Sequence, residues 1–290
     1  MDATPILLLD RLMKTIRNIA IMTTAGAAIV AFSGLANADE TPTREFSSPY
    51  TSLQLLNAGR QSDVWRSGIY ITLKKGWKTY WRVPGDGGVP PSFDWSGSEN
   101  IETTKVMMPL PHRFIDENGE GIGYKTEVVF PVDVIPRDPT KPAMLSLKIF
   151  YAVCNDICVP VQAEVRLDID AKTASASDKF RLRVARAAVP VEAQDKRLSV
   201  LSLKQVEADG RNSLEVSLKG IKSPAQTDIF VEADGHSYFR KPELVSQSDE
   251  MTTWRIAVDS FGGPVSLAGK SVRLTIADGD TGLVHQGLLQ

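Results

Sequence analysis

Residues 143–169, AMLSLKIFYAVCNDICVPVQAEVRLDI, decide the fold class of this 290-residue chain. Two apolar sets alternate with polar residues on either side of a short turn: Leu145, Leu147, Ile149, Tyr151 and Val153 before it, and Val161, Ala163, Val165, Leu167 and Ile169 after it. Successive side chains of a strand point to opposite faces, so the pattern predicts two strands with one core face. The chain's only two cysteines, Cys154 and Cys158, fall on the opposite parity, and we expect both on the less buried face.

The turn between the cysteines sets their separation. In extended chain, residues four apart are about 13 Å from each other, whereas a disulfide needs Cα atoms roughly 4.4–6.8 Å apart. Asn155 and Asp156 favour a turn, and a three-residue loop ending at Ile157 would place Cys154 directly opposite Cys158. Opposed residues of an antiparallel pair lie about 4.5–5.5 Å apart. The spacing therefore predicts a hairpin tip at which a disulfide can close.

Three uses of this cysteine pair stay open at this point. As a structural crosslink it closes a loop of about five residues, which gives roughly 2 kcal/mol against about 3 for fifteen residues. As a soft-metal site it needs further ligands, and Met107, Met108 and His112 in KVMMPLPHRF offer thioethers and an imidazole for Cu(I). As a redox pair it has Asp156 between the thiols, which disfavours thiolate, so we expect reaction with a partner's activated thiol.

The rest of the chain predicts an all-β protein of two sandwiches. Short alternating runs with Gly- and Pro-rich turns between them recur through residues 45–170 and again through 198–290. Residues 171–197 are Ala-rich and charged, with few β-branched residues, and we interpret them as a linker. Within the linker, residues 177–188 favour a short helix with Asp178 near its start.

The first 38 residues indicate export. A basic segment at 13–17, an uncharged apolar run at 19–35 and the small residues Ala36 and Ala38 form the pattern of a secretory signal peptide. We expect cleavage after Ala38, Met13 as the initiator, and a mature chain without a membrane span. The formal net charge is −2, and no clustered basic patch predicts a nucleic-acid surface. An oxidising compartment permits the disulfide.

The cysteine segment FYAVCNDICVPVQAEVRLDI, together with the upstream GWKTYWRVPGDGGVPPSFDW, resembles the N-terminal periplasmic domain of DsbD-type thiol:disulfide interchange proteins. This resemblance covers about residues 46–170. It is nearest to the ScsB-like branch, which is linked to copper tolerance. The stretches DIFVEADGHSYFRKPEL and LAGKSVRLTIADG resemble the additional sandwich of ScsB-like proteins.

The resemblance implies two immunoglobulin-like domains, the first of them a redox domain. Such a domain takes electrons from a membrane-embedded donor, here expected to be a separate protein, and reduces thioredoxin-like periplasmic proteins. Cys154 and Cys158 would be the exchanging pair, and no cofactor or resident metal is implied. The alternative function is that of a copper-handling or structural adaptor protein of the periplasm.

The resemblance also implies a cap loop that shields the cysteines until a partner docks. Residues 114–127, FIDENGEGIGYKTE, occupy the corresponding place, and the glycines at 119, 121 and 123 are expected to make them mobile. Tyr124 is predicted to be the shielding ring. Trp77 and Tyr80 match aromatic positions near the family's site, although both also fit an ordinary sandwich core.

Overall fold

The computed structural model describes residues 43–116, 119–192, 198–208, 210–233, 237–260 and 266–289. The predicted signal peptide and its cleavage site lie outside the described residues. Within the described ranges, no helix is long and apolar enough to cross a membrane.

The first sandwich consists of two antiparallel sheets. Its strands are β1 (Glu45–Ser47), β2 (Thr51–Gln61), β3 (Val64–Leu73), β4 (Lys78–Gly85), β5 (Ser92–Asp94), β6 (Ile101–Val106), β7 (His112–Asp116), β8 (Gly119–Lys125), β9 (Glu127–Pro136), β10 (Ala143–Cys154) and β11 (Cys158–Ile169). One sheet has the order β1-β2-β3-β9-β6, and the other has the order β11-β10-β4-β8-β7 with β5 also paired to β10. The two sheets enclose one core, to which β2, β3 and β9 contribute from one side and β4, β8, β10 and β11 from the other.

The second sandwich has the same two-sheet arrangement. Its strands are β12 (Val191–Glu192), β13 (Ser199–Ala208), β14 (Arg211–Lys219), β15 (Thr227–Ala233), β16 (Ser237–Phe239), β17 (Glu243–Gln247), β18 (Thr252–Ser260), β19 (Ser271–Asp278) and β20 (Thr281–Leu288). The sheet orders are β12-β20-β19-β15 and β13-β14-β18-β16, with β17 also paired to β18. The all-β class and the two-sandwich architecture predicted from the sequence are thus confirmed.

A short helix, α1 (Ala176–Ala187), follows the first sandwich, as the sequence predicted to within one residue. Ser175 caps it by accepting a hydrogen bond from the amide of Asp178 at 3.0 Å. The buried Asp178 carboxylate accepts from the amide of Asn57 at 2.9 Å and forms an ion pair with Arg44. Two 3₁₀ turns, Ala171–Thr173 and Pro224–Gln226, complete the helical structure of the described residues. The helix is therefore docked on the first sandwich.

The two sandwiches meet through the sheet that carries the cysteines. Phe230 on β15 is 1% exposed and its ring centroid lies 5.7 Å from that of Trp81 on β4. Phe230 and Ala277 of the second sandwich belong to the same buried cluster as the first sandwich's core. Arg82 adds a bidentate ion pair to Glu232, with N–O distances of 2.6 and 2.7 Å. The cysteine-bearing sheet is thus supported on its far side by the second sandwich.

Candidate functional site

The hairpin of β10 and β11 closes at the two cysteines. Its register pairs Ala143 with Ile169 and runs without interruption to Cys154 opposite Cys158. The cysteines form a disulfide, with their Cα atoms 4.1 Å apart. The amide of Asn155 donates to the carbonyl of Ile157 at 3.0 Å across the turn. The predicted three-residue loop, the opposition of the cysteines and the closed disulfide are all confirmed.

The two sulfur-bearing residues differ sharply in exposure. Cys154 is 0% exposed, whereas Cys158 is exposed at the hairpin tip. The prediction that both thiols lie on an accessible face is therefore wrong for Cys154. The parity itself was right, but that face is covered by Tyr80 and Phe114, which pack against Cys154. Strand alternation shows which side chains share a face and does not show what lies over them.

Lys78 places a cation beside the disulfide, although it lies far from both cysteines in the sequence. Lys78 on β4 is the cross-strand partner of Cys154, and its residue is 5% exposed. Its ammonium forms an ion pair with Asp116 on β7. It also lies 4.8 Å from the centroid of the Phe114 ring. The buried cysteine thus lies next to an ion pair. Asp116 balances the charge of Lys78, which is poorly hydrated at this position.

Tyr80 is the predicted aromatic residue that lies at the disulfide. Its hydroxyl is 3.9 Å from Sγ of Cys158, and its ring centroid is 6.1 Å from that of Phe114. Burial, followed by the negative charge of Asp116, raises the pKa of Tyr80 above its ordinary value. The hydroxyl accordingly keeps its proton at neutral pH. It can donate a hydrogen bond to a thiolate formed at Cys158.

The ring that covers Cys154 belongs to Phe114, on the hairpin formed by β7 and β8, which we call the cap hairpin. Phe114 is 7% exposed and pairs across the hairpin with Gly121. A Cβ at Gly121 would lie 2.1 Å from Cε2 of Phe114, so only glycine leaves room for the ring. This observation gives Gly121 a packing role. The cap segment inferred at residues 114–127 thus includes the residue that shields Cys154.

Tyr124 does not shield the cysteines. The register pairs Val153 with Thr79 and Thr79 with Tyr124, so Tyr124 shares the core face, and Cys154 points to the other face. The Tyr124 ring packs 5.5 Å from that of Phe130, and its hydroxyl donates to the carbonyl of Pro109 at 2.8 Å. Burial raises the pKa of Tyr124 well above its ordinary value. The predicted shielding role is therefore wrong for this residue, because its parity in β8 is opposite to that of Phe114's partner Gly121.

Trp77 also lies with the core. Its ring stacks on that of Tyr50 with centroids 4.2 Å apart, and it packs against the core of the first sandwich. Of the two roles that the sequence left open for Trp77, the structure places it in sandwich packing.

The candidate copper ligands are spread over different surroundings. Met107 accepts a contact from the guanidinium of Arg186 on α1, with Sδ 3.9 Å from Nη1. Met108 packs against the core of the first sandwich, and His112 is exposed on β7. Within the described ranges, no group of three or more His, Cys, Asp or Glu residues is arranged to hold a metal ion.

The family models that match this chain fall into two ranges, one for each sandwich. Residues 52–169 match the profile of the N-terminal domain of the thiol:disulfide interchange protein DsbD. These residues therefore form a DsbD-type N-terminal domain, with Cys154 and Cys158 inside the matched range. Residues 188–287 match a family described as a domain of unknown function.

A solved structure covers both sandwiches together. The fold is similar to the crystal structure of the N-terminal periplasmic domain of ScsB from Proteus mirabilis, with a TM-score of 0.71 and 21% sequence identity. The match spans 85% of this chain and 98% of that domain. The two-sandwich architecture is thus shared with ScsB. Among curated proteins, no sequence matching this chain was found.

Proposed function

We propose that this protein is an exported thiol–disulfide exchange module that carries electrons on the Cys154/Cys158 pair. The observation that carries the proposal is a disulfide at a hairpin tip with one buried and one exposed cysteine, inside a DsbD-type N-terminal domain. Such a domain supports thiol–disulfide interchange as the reaction class. The thioredoxin-like partner and the direction of flow are part of the proposal.

The unequal burial of the cysteines supports different roles for them. A mixed disulfide requires a sulfur that another protein can reach, and Cys158 is exposed whereas Cys154 is covered by Phe114 and Tyr80. Cys158 therefore forms the bond with the partner. Cys154 is the resolving residue, since the hairpin register holds it directly opposite Cys158.

The exchange balances as two successive thiol–disulfide displacements. The Cys158 thiolate attacks one sulfur of the partner's disulfide, forms a mixed disulfide and releases one partner thiolate. Cys154, once deprotonated, attacks Sγ of Cys158, closes the internal disulfide and releases the second partner thiolate. The partner gains two electrons and its two thiolates take up protons. A membrane-embedded donor then restores the reduced pair.

The setting of this reaction is the periplasm. The domain is similar to periplasmic domains, and the sequence predicts a signal peptide at residues 1–38. An oxidising compartment supplies disulfide-bearing partners. A thioredoxin-like protein suits the site because a low-pKa thiol leaves readily when Cys158 attacks the partner's disulfide.

The experiment that tests the proposal is trapping of a mixed disulfide. The Cys154→Ser protein lacks the resolving thiol, so it is expected to accumulate a thiol-sensitive adduct with a thioredoxin-like periplasmic protein through Cys158. The Cys158→Ser protein is expected to trap far less, because its remaining thiol is buried. Non-reducing electrophoresis with mass spectrometry identifies the adduct, and the double Cys→Ser protein is the control. Failure of both single variants to capture any partner would overturn the proposal.

A further inference from the structure

The cap hairpin presents different chemistry on its two faces. Phe114 points from β7 toward Cys154, and its neighbour Arg113 points to the opposite side. On β8, Glu120 alternates with Gly121 in the same way and lies on the side of Arg113. The first face covers the disulfide, and the second face meets the second sandwich.

Arg113 joins the hairpin to β15 of the second sandwich. Its side chain is 5% exposed and forms an ion pair with Glu120 within the hairpin. Its Nε and Nη2 donate to the carboxylate of Asp228, each at 3.0 Å, and Nη2 donates to the carbonyl of Ile229 at 3.3 Å. The guanidinium also lies 5.2 Å from the ring centroid of Phe230. A buried guanidinium with this many partners holds a fixed position.

Glu120 and its backbone form a second attachment. One carboxylate oxygen accepts from the amide of Lys241 at 3.2 Å. The carboxylate of Asp86 accepts from the amide of Glu120 at 3.2 Å and from Nη1 of Arg240 at 2.6 Å. Arg240 and Lys241 lie between β16 and β17 of the second sandwich. Both strands of the cap hairpin are therefore tied to the second sandwich.

The cap hairpin is only partly paired with the rest of its own sheet. Strand β7 is the last strand of the sheet, and the pairing of β8 with β4 is interrupted between Tyr80 and Gly85. A two-stranded hairpin is marginally stable without further packing. Arg113, the partner of Asp228, pairs with Ile122 at that interruption, and Glu120, the partner of Lys241, lies beyond it.

We infer that the second sandwich braces the cap hairpin and so sets how often Phe114 uncovers Cys154. The inference rests on the proposed function for its biological meaning, since an exchange pair needs a controlled opening. Asp228 and Arg240 are then positioning residues that act on the disulfide through Arg113 and Glu120. The second sandwich has a regulatory role at a site to which it contributes no cysteine.

A second contact between the sandwiches provides a matched comparison. Glu232 forms its bidentate ion pair with Arg82 on β4, outside the cap hairpin. Removing the charge of Glu232 weakens the domain contact without touching Arg113 or Glu120. If the second sandwich braces the cap hairpin, neutralising Asp228 should expose Cys154 more than neutralising Glu232 does. If these contacts only join the two sandwiches, the two changes should have the same effect on Cys154.

The test measures how fast Cys154 reacts with iodoacetamide when it is the only thiol. In the full chain carrying Cys158→Ser, Asp228→Asn is expected to raise the alkylation rate about fivefold, which corresponds to about 1 kcal/mol at 1.4 kcal/mol per factor of ten. Glu232→Gln is expected to leave the rate unchanged. Phe114→Ala is the positive control that exposes Cys154 directly. Hydrogen exchange at the amides of the cap hairpin should increase with Asp228→Asn alone.

The outcomes separate this inference from the exchange function, because alkylation requires no partner protein. Equal rates for Asp228→Asn and Glu232→Gln, with Phe114→Ala fast, would overturn the brace and leave the proposed exchange untouched. If Asp228→Asn does not fold, Arg240→Gln carries the same comparison, since it releases Asp86 from the second attachment. An unchanged rate in Arg240→Gln would then overturn the inference.

Discussion

The two cysteines of the hairpin share a strand pair and differ in surroundings. Cys158 lies at the tip beside solvent and the Tyr80 hydroxyl, while Cys154 lies beneath Phe114 next to the paired ammonium of Lys78. Cys158 is therefore accessible to another protein, whereas Cys154 is covered. A crosslink with only a structural purpose gains nothing from this difference in exposure.

The Tyr80 hydroxyl is expected to stabilise a thiolate at Cys158. In the Cys154→Ser protein, Tyr80→Phe should raise the pKa of Cys158 by about one unit, because a hydrogen bond to a charged group contributes about 1.5 kcal/mol. The pH dependence of Cys158 alkylation measures this pKa. Tyr124→Phe is the control, since Tyr124 lies on the core face. Equal pKa values with and without the Tyr80 hydroxyl would refute this role.

The sequence predicted the geometry of the cysteine pair, but it did not predict which side chain covers Cys154. Alternation and turn chemistry in residues 143–169 were sufficient to predict the opposed cysteines. The sequence assigned the covering ring to Tyr124, which lies in the correct segment but on the opposite face of the cap hairpin from Phe114. Counting alternate residues through β7 and β8 identifies Phe114 only once the register of β4, β8 and β10 is known.

Two elements outside the cysteine hairpin determine how the site is held. The cap hairpin places Phe114 over Cys154, and α1 packs on the outside of β2, β3 and β9. The side chain of Leu182 on α1 occupies the space over Gly68, where a Cβ would lie 2.6 Å from Cδ2 of the leucine. The short Ala-rich segment predicted as a linker helix is thus part of the first sandwich's packing.

Truncation of the helix contact is expected to destabilise the protein. Leu182 is 2% exposed, so Leu182→Ala should lower the free energy of unfolding by about 3 kcal/mol through lost burial and a residual cavity. Val184→Ala on the same helix is the control, because Val184 is 55% exposed and its loss should change stability by less than about 0.5 kcal/mol. Urea unfolding monitored by circular dichroism compares the two. Similar values for both variants would show that the helix does not depend on this contact.

In the whole molecule, two sandwiches that match different family models are packed against each other. The first matches the DsbD N-terminal family and contains the disulfide, and the second contributes Phe230, Asp228 and Glu232 to the far side of the same sheet. The two-sandwich fold was predictable because short alternating strands with turn residues between them recur along the chain. The contact between the sandwiches was not, because side chains such as Arg82 and Arg113 look like ordinary surface residues in sequence.

The reduction potential of the Cys154/Cys158 pair distinguishes an exchanging disulfide from an inert structural one. The full chain is equilibrated in redox buffers of defined potential, and the reduced fraction is counted by alkylation and mass spectrometry. An exchange module predicts a potential above about −300 mV, within reach of periplasmic thiol–disulfide partners. A potential below about −300 mV, typical of inert structural disulfides, would contradict the exchange function.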